Sequence, residues 1–208
     1  MFTILRIDAH ATADRMPTEY AALAASGRTD VVLKQADAET PEQLVAAAQE
    51  ADVLLTDCAM LTGAVLQQLP RCRAIIRYGV GYDTVDVAAA SKRGIAVVNV
   101  PDFCNEEVSN HVMMFLLAAA KKLKPLDALV QQGQWAQAKA MQSPMGSIHG
   151  ETLGIIGCGN LGRSVAVKAH AFGMQIIGYS PRTPQSLLNA AGIRAVGFEE
   201  LLRTADYI

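Results

Sequence analysis

The residues best suited to do chemistry in this 208-residue chain lie in two short stretches, GIIGCGNLG at 154–162 and QIIGYSPRT at 175–183. Gly157, Gly159 and Gly162 have the GxGxxG spacing, directly after an apolar run and at the start of a helical pattern. In that setting each glycine has its own task. Gly157 permits a tight turn, Gly159 lets the backbone approach a pyrophosphate, and Gly162 lets the helix pack closely on the strand. The helix that opens with Asn160 and Leu161 adds the N–H groups of its first turn and the positive end of its dipole. A dinucleotide is the ligand that this arrangement predicts.

The cofactor's ribose is ordinarily gripped by an acidic residue roughly 20 residues further on. Here that place carries Ser180, followed by Arg182 and Thr183, and no Asp or Glu occurs between Glu151 and Glu199. A carboxylate would accept hydrogen bonds from a ribose but repel a 2′-phosphate, whereas a hydroxyl followed by a guanidinium suits the phosphate. The reading favours NADP and leaves NAD possible. On the alternative, Arg182 is a solvated loop charge and the site takes NAD.

The elements that must hold these residues alternate along the chain. FTILRI, DVVLKQA, DVLLTD, CRAIIRYGVG and GIAVVNV read as strands, with alanine-rich helical stretches between them; Thr40 suits an N-cap and Pro41 the first helical position. Such alternation implies right-handed crossovers and a parallel sheet. This first doubly wound domain spans residues 1–100 and ends at Pro101. A long helix is expected from Asn105 as its cap to Lys124, stopped by Pro125, with a polar connection after it. A second alternating unit within 101–208 then begins at TLGIIG, with Leu161, Val165 and Ala169 facing its sheet and Gly173 closing the helix. DYI at 206–208 reads as the start of a further strand, so this second domain is expected to be incomplete.

Composition narrows the function classes. A net charge of -2 gives no basic excess for nucleic acid or an anionic membrane. The longest apolar run, Val112–Ala120, is half of the roughly 20 residues that span a bilayer. Arg6 and Asp8 interrupt the N-terminal apolar stretch, against a signal peptide. Cys58, Cys72, Cys104 and Cys158 are scattered without a CxxC pair, which fits reduced thiols in a cytoplasmic protein and no metal site.

Three ordered segments, RYGVGYDTVD (77–86), GIAVVNVPDFCNEEVSNH (94–111) and TLGIIGCGNLGRSVAVKAHAFGMQIIGYSP (152–181), together resemble the D-isomer-specific 2-hydroxyacid dehydrogenases. The branch is similar to phosphoglycerate dehydrogenases and hydroxypyruvate or glyoxylate reductases. The resemblance implies a flavodoxin-like substrate-binding domain at 1–100 and a Rossmann dinucleotide-binding domain at 101–208. The implied activity is hydride transfer between a nicotinamide and C2 of a small 2-oxo or 2-hydroxy acid. In the family the loop matching YGVG offers backbone N–H groups to the substrate carboxylate; here these are Val80 and Gly81, with Gly79 giving room, and a glycine-rich turn after a strand suits an anion. Arg77 adds positive potential or is paired structurally. Asn105 matches a position near the nicotinamide, His111 is expected to pack, and Trp135 matches a segment of the family's dimer contacts, so a homodimer through the cofactor domain is implied. The family's catalytic arginine, glutamate and histidine have no counterpart in residues 1–208. The chain is therefore expected to be truncated C-terminally and inactive alone. The alternative is a non-catalytic dinucleotide-binding interaction module, like the C-terminal-binding corepressors of the same family.

Overall fold

The computed structural model describes residues 1–8 and 16–208. The chain divides into two compact units, Met1–Phe103 and Cys104–Ile208, each an α/β structure with a parallel sheet.

In the first unit β1 (Phe2–Ile7), β2 (Val31–Ala36), β3 (Val53–Thr56), β4 (Ala74–Arg77) and β5 (Ala96–Val98) form one sheet in the order β2-β1-β3-β4-β5. Every neighbouring pair is parallel. This is the flavodoxin-like order, and it places a topological switch point between β1 and β3. The connecting helices are α1 (Met16–Ala25), α2 (Pro41–Ala48), α3 (Gly63–Gln67) and α4 (Val87–Lys92). Thr40 caps α2 by accepting from Gln43 N, as its position predicts, and Thr62 and Asp86 do the same for α3 and α4.

Alternation sorts the strand residues onto two faces. Leu5, Ile7, Leu54 and Ile75 pack with Leu44, Val65 and Leu66 of α2 and α3 in a buried core. On the opposite face Phe2, Ile4 and Leu55 line a cavity of about 520 Å³ together with Ala22 and Leu23 of α1. Arg6 on β1 is fully buried; its Nη1 lies 3.0 Å from Glu19 Oε2 and its guanidinium sits over the Tyr78 ring.

In the second unit β6 (Thr152–Ile156), β7 (Gln175–Tyr179) and β8 (Arg194–Ala195) pair in parallel in that order. Tyr207 bridges to Leu153 in parallel, so DYI continues the sheet at the free edge of β6. The helices are α5 (Asn105–Ala120), α6 (Leu123–Gln131), α7 (Trp135–Met141), α8 (Asn160–Ala171), α9 (Gln185–Ala190) and α10 (Phe198–Thr204). Lys168 on α8 clamps α5 by donating to Glu106 Oε2 at 2.9 Å and to the buried Ser109 Oγ at 2.8 Å.

Three local expectations need correction. Cys104 occupies the N-cap of α5 and Asn105 is its first helical residue, without a side-chain cap bond from the cap position. The long helix ends earlier than expected, because Lys122 turns left-handed (φ 50) and starts α6. Pro125 then lies within the first turn of α6, where its missing N–H would have had no intrahelical partner. The polar connection is thus largely helical, through α6 and α7. Finally, Gly162, Val165, Ala166 and Ala169 form the buried stripe of α8, whereas Leu161 is 38% exposed. At 3.6 residues per turn Leu161 lies about 90° from the centre of that stripe.

Among the described residues no helix is long and apolar enough to cross a membrane. None of them forms a cluster of His, Cys, Asp or Glu able to hold a metal ion.

Two carboxylates hold the strand ends of the first unit. Asp8, just past β1 with φ 66, accepts through Oδ2 from Thr56 Oγ1 (2.6 Å) and from the N–H groups of Asp57 (3.0 Å), Cys58 (2.8 Å) and Ala59 (2.8 Å). Burial works to raise its pKa, but these hydrogen bonds together outweigh burial and hold it below the usual carboxylate value. Asp52, at the other end, is lowered chiefly by the Thr3 N–H at 2.8 Å, with Arg71 adding to the effect. Both groups titrate lower folded than unfolded, where an Asp titrates near about 3.9. Their stabilisation is therefore complete above that value and drains as pH falls through the folded values. Asp8→Ala should cost at least about 2 kcal/mol by leaving the Asp57 and Cys58 N–H groups without an acceptor, while Ala59 N keeps Thr56 Oγ1 at 3.2 Å. Urea denaturation from pH 7 to pH 2 checks both points: Asp8→Asn should flatten the acid limb, and an unchanged limb contradicts the role of Asp8.

Candidate dinucleotide and acid sites

The glycine turn is built by the end of β6 and the start of α8. Gly157 has φ 96, in the left-handed region that a side chain resists, and its N–H donates to Tyr179 O at 2.9 Å. Gly159 is the N-cap of α8, and a Cβ added there would meet nothing within 4 Å, so the backbone stands open to a ligand. A Cβ at Gly162 would collide with Gly157 O and press on Ile155 Cγ2. The helix can start this close to the strand only because residue 162 has no side chain. Between the glycines Cys158 is buried against Gly178 of β7, and burial pushes its thiol pKa up. Arg163 ties the turn together by donating to Cys158 O (3.0 Å) and to Asn160 Oδ1 (2.8 Å).

At the end of β7, Ser180 Oγ and Thr183 Oγ1 lie 2.8 Å apart, and Thr183 Oγ1 donates to Cys158 O at 3.3 Å. Both hydroxyls therefore stand beside the glycine turn. The four cations between Glu151 and Glu199 differ in their engagements. Arg163 is held as described, Lys168 pairs with Glu106, and Arg194 lies 2.8 Å from Glu200. Arg182 is exposed and makes no ion pair or hydrogen bond among the described residues. The residues fit a dinucleotide: open backbone at Gly159, a helix N-terminus, and beside them two hydroxyls and a guanidinium without a partner among the described residues.

The second candidate site lies in the first unit, after β4. Tyr78 N donates to Thr56 O and Gly79 N to Arg77 O, but neither Val80 N nor Gly81 N has an acceptor among the described residues. The turn is tied down by Val100 N to Gly79 O (3.0 Å) and by Asn99 Nδ2 to Val80 O (2.8 Å). Arg77 proves to be paired: Nε donates to Asp57 O at 3.1 Å and Nη2 lies 3.3 Å from Asp57 Oδ1. Its guanidinium folds over Gly79, where a Cβ would fall on Nη1. Gly79 thus gives room for Arg77.

Sequence reasoning missed Asp8 and Asp57. The available signal was positional, since both are polar residues just past strands that flank the switch point. Of the other singled-out residues, Asn105 sits at the start of α5, with its carbonyl accepting from Ser109 Oγ. His111 is exposed rather than packed inside, because it falls on the outer side of α5 from buried Met113 and Leu116; its ring meets Phe115 edge-on at 4.6 Å.

Gly162→Ala should lower stability by about 1–3 kcal/mol, the usual cost of forcing atoms into a filled space. Gly159→Ala should leave stability near that of the parent chain. Denaturation curves of the two variants measure the contrast, and equal stabilities would refute the close-packing role of Gly162.

Residues 113–208 match the family described as D-isomer specific 2-hydroxyacid dehydrogenase, NAD binding domain. The chain is 36% identical over 171 residues to a D-3-phosphoglycerate dehydrogenase of Methanocaldococcus jannaschii, a match covering 81% of this chain and 32% of that one. It is 35% identical over 156 residues to a glyoxylate reductase of Korarchaeum cryptofilum, covering 74% and 46%. A crystal structure of D-lactate dehydrogenase from Aquifex aeolicus, complexed with NAD and lactic acid, superimposes with a TM-score of 0.80 at 25% identity, covering 98% of this chain and 58% of that one. The chain spans a third to a half of the length of these curated relatives. By its motifs, its fold and these likenesses, the chain belongs to the D-isomer-specific 2-hydroxyacid dehydrogenase family.

Proposed function

We propose that the chain binds NADP in preference to NAD along the glycine turn and a small 2-oxo or 2-hydroxy acid at the turn after β4. It then serves hydride transfer between the nicotinamide and C2 of that acid. The observation that carries the cofactor choice is the state of Arg182: alone among the cations between Glu151 and Glu199, it has no partner among the described residues. Its guanidinium is free to pair with a 2′-phosphate, while Ser180 and Thr183 offer hydroxyls beside it.

When bound, the cofactor supplies the hydride donor or acceptor. The chain's own residues bind and orient. Gly157 and Gly159 let the pyrophosphate approach the first turn of α8, whose N–H groups face the phosphates. Val80 and Gly81 present two unspent N–H groups to a carboxylate, and Asn105 is assigned to the nicotinamide end. This reading extends to a cytoplasmic homodimer joined through the second unit. Its support is the apolar surface on α5 to α7, where Phe115, Leu123 and Trp135 are 61%, 59% and 68% exposed.

NADPH should bind more tightly than NADH, and Arg182→Ala should weaken NADPH binding by about tenfold or more while leaving NADH unchanged. Fluorescence titration of both proteins reads this directly; equal NADPH affinities in the two would sink the 2′-phosphate assignment. The double variant Phe115→Glu, Trp135→Glu should sediment as a monomer where the parent chain sediments as a dimer. A parent chain that is monomeric at tens of micromolar would remove the dimer.

A further inference from the structure

The acid site proposed above lies among charges that bear on which acids it can take. The ends of β1, β3 and β4 carry Asp8, Asp57 and Arg77, and Asp83 follows in the turn, with its Oδ1 2.9 Å from where a Cβ on Gly81 would sit. Arg6, the other guanidinium near these strand ends among the described residues, is fully buried and so closed to a ligand: Nη1 pairs with Glu19, which also accepts from Tyr78 Oη, while Nε and Nη2 have no partner there. Arg77 is the one cation left facing the Val80–Gly81 turn among the described residues, and Asp57 already neutralises it. Among the described residues around this turn the carboxylates outnumber the available guanidiniums.

The Asp57 side chain is not needed to shape the loop. Asp8 holds residues 56–59 through their hydroxyl and N–H groups, and the Asp57 carbonyl anchors Arg77 Nε without help from the carboxylate. What the carboxylate adds is charge. It stands 3.3 Å from Arg77 Nη2, is partly open to solvent, and sits beside a second, buried carboxylate.

We propose that Asp57 is a specificity-determining residue: it occupies Arg77 and so confines the acid site to 2-oxo and 2-hydroxy acids whose side chain is uncharged, rejecting those that carry a phosphate. A single substrate carboxylate needs little more than the two free N–H groups. A phosphate brings about 1.5 to 2 further negative charges and calls for guanidinium forks to receive them. Among the described residues the one partly exposed fork at this turn, Arg77, already faces the Asp57 carboxylate, and the neighbouring Asp57 and Asp83 repel the incoming dianion. Discrimination of this kind works by a repulsive element built against the wrong ligand.

The inference rests on the Val80–Gly81 turn being the acid site, and one experiment separates the two. The ¹⁵N-labelled 208-residue chain is titrated with D-glycerate, 3-phospho-D-glycerate and inorganic phosphate, following the amide signals of Val80 and Gly81, for the parent chain and for Asp57→Asn. Glycerate should shift both amides in the parent chain, with the phosphorylated acid weaker by at least about tenfold. Asp57→Asn should close most of that gap, and inorganic phosphate should leave these amides unmoved. Phosphoglycerate binding as tightly as glycerate, or a gap unchanged in Asp57→Asn, overturns the role of Asp57 while leaving the acid site standing. If glycerate moves neither amide, the acid site itself falls, and the inference falls with it.

Discussion

A parallel sheet ends in a row of backbone groups that no neighbouring strand can satisfy, and the two units of this chain answer that constraint in opposite ways. In the first unit the loop after β3 turns three successive N–H groups toward one point, and Asp8 fills it with its own carboxylate. In the second unit the loop after β6 ties only Gly157 N back to Tyr179 O and leaves bare glycine backbone at Gly159 with a helix N-terminus behind it. The first arrangement locks a loop by an internal anion; the second keeps a place for an external one. Everything positioned by the β3–α3 loop, including Asp57 and through it Arg77, depends on the Asp8 contact.

The chain's arginines show how little a residue type says without its partners. Arg6, Arg77, Arg163 and Arg182 are chemically identical. Arg6 is sealed in the first unit against Glu19, Arg77 is matched by Asp57, and Arg163 closes the glycine turn on itself. Arg182 alone of these four projects without a partner among the described residues. An arginine pays out its charge only where nothing nearby has already claimed it. Among these four, unpaired charge thus stands at the end of β7 and not at the turn after β4.

Much of the fold was legible in the sequence. Alternating apolar runs and helical stretches give the parallel strands, and Thr40 followed by Pro41 marks the start of α2. The spacing of Gly157, Gly159 and Gly162 already implies a strand, a tight turn and a closely packed helix. These features are local: each follows from the conformational preference of a residue and its near neighbours. Where local rules failed, the cause was also local. Pro125 reads as a helix stop, yet a proline in the first turn costs a helix nothing, and the left-handed Lys122 had already made the break.

What the sequence by itself determined, then, is the order of elements, the glycine turn and the absence of an acid after β7. Only the tertiary structure decided which charges are spent. Asp8 and the residues at 57–59 are some 50 positions apart in the chain, as is Asp8 from Thr56, and Asp57 is 20 from Arg77. No pattern in the sequence couples such positions; the β1-β3-β4 order of the sheet brings them together. An ion pair or a hydrogen bond acts over a few ångströms, so its partners are settled only when the strands are laid side by side.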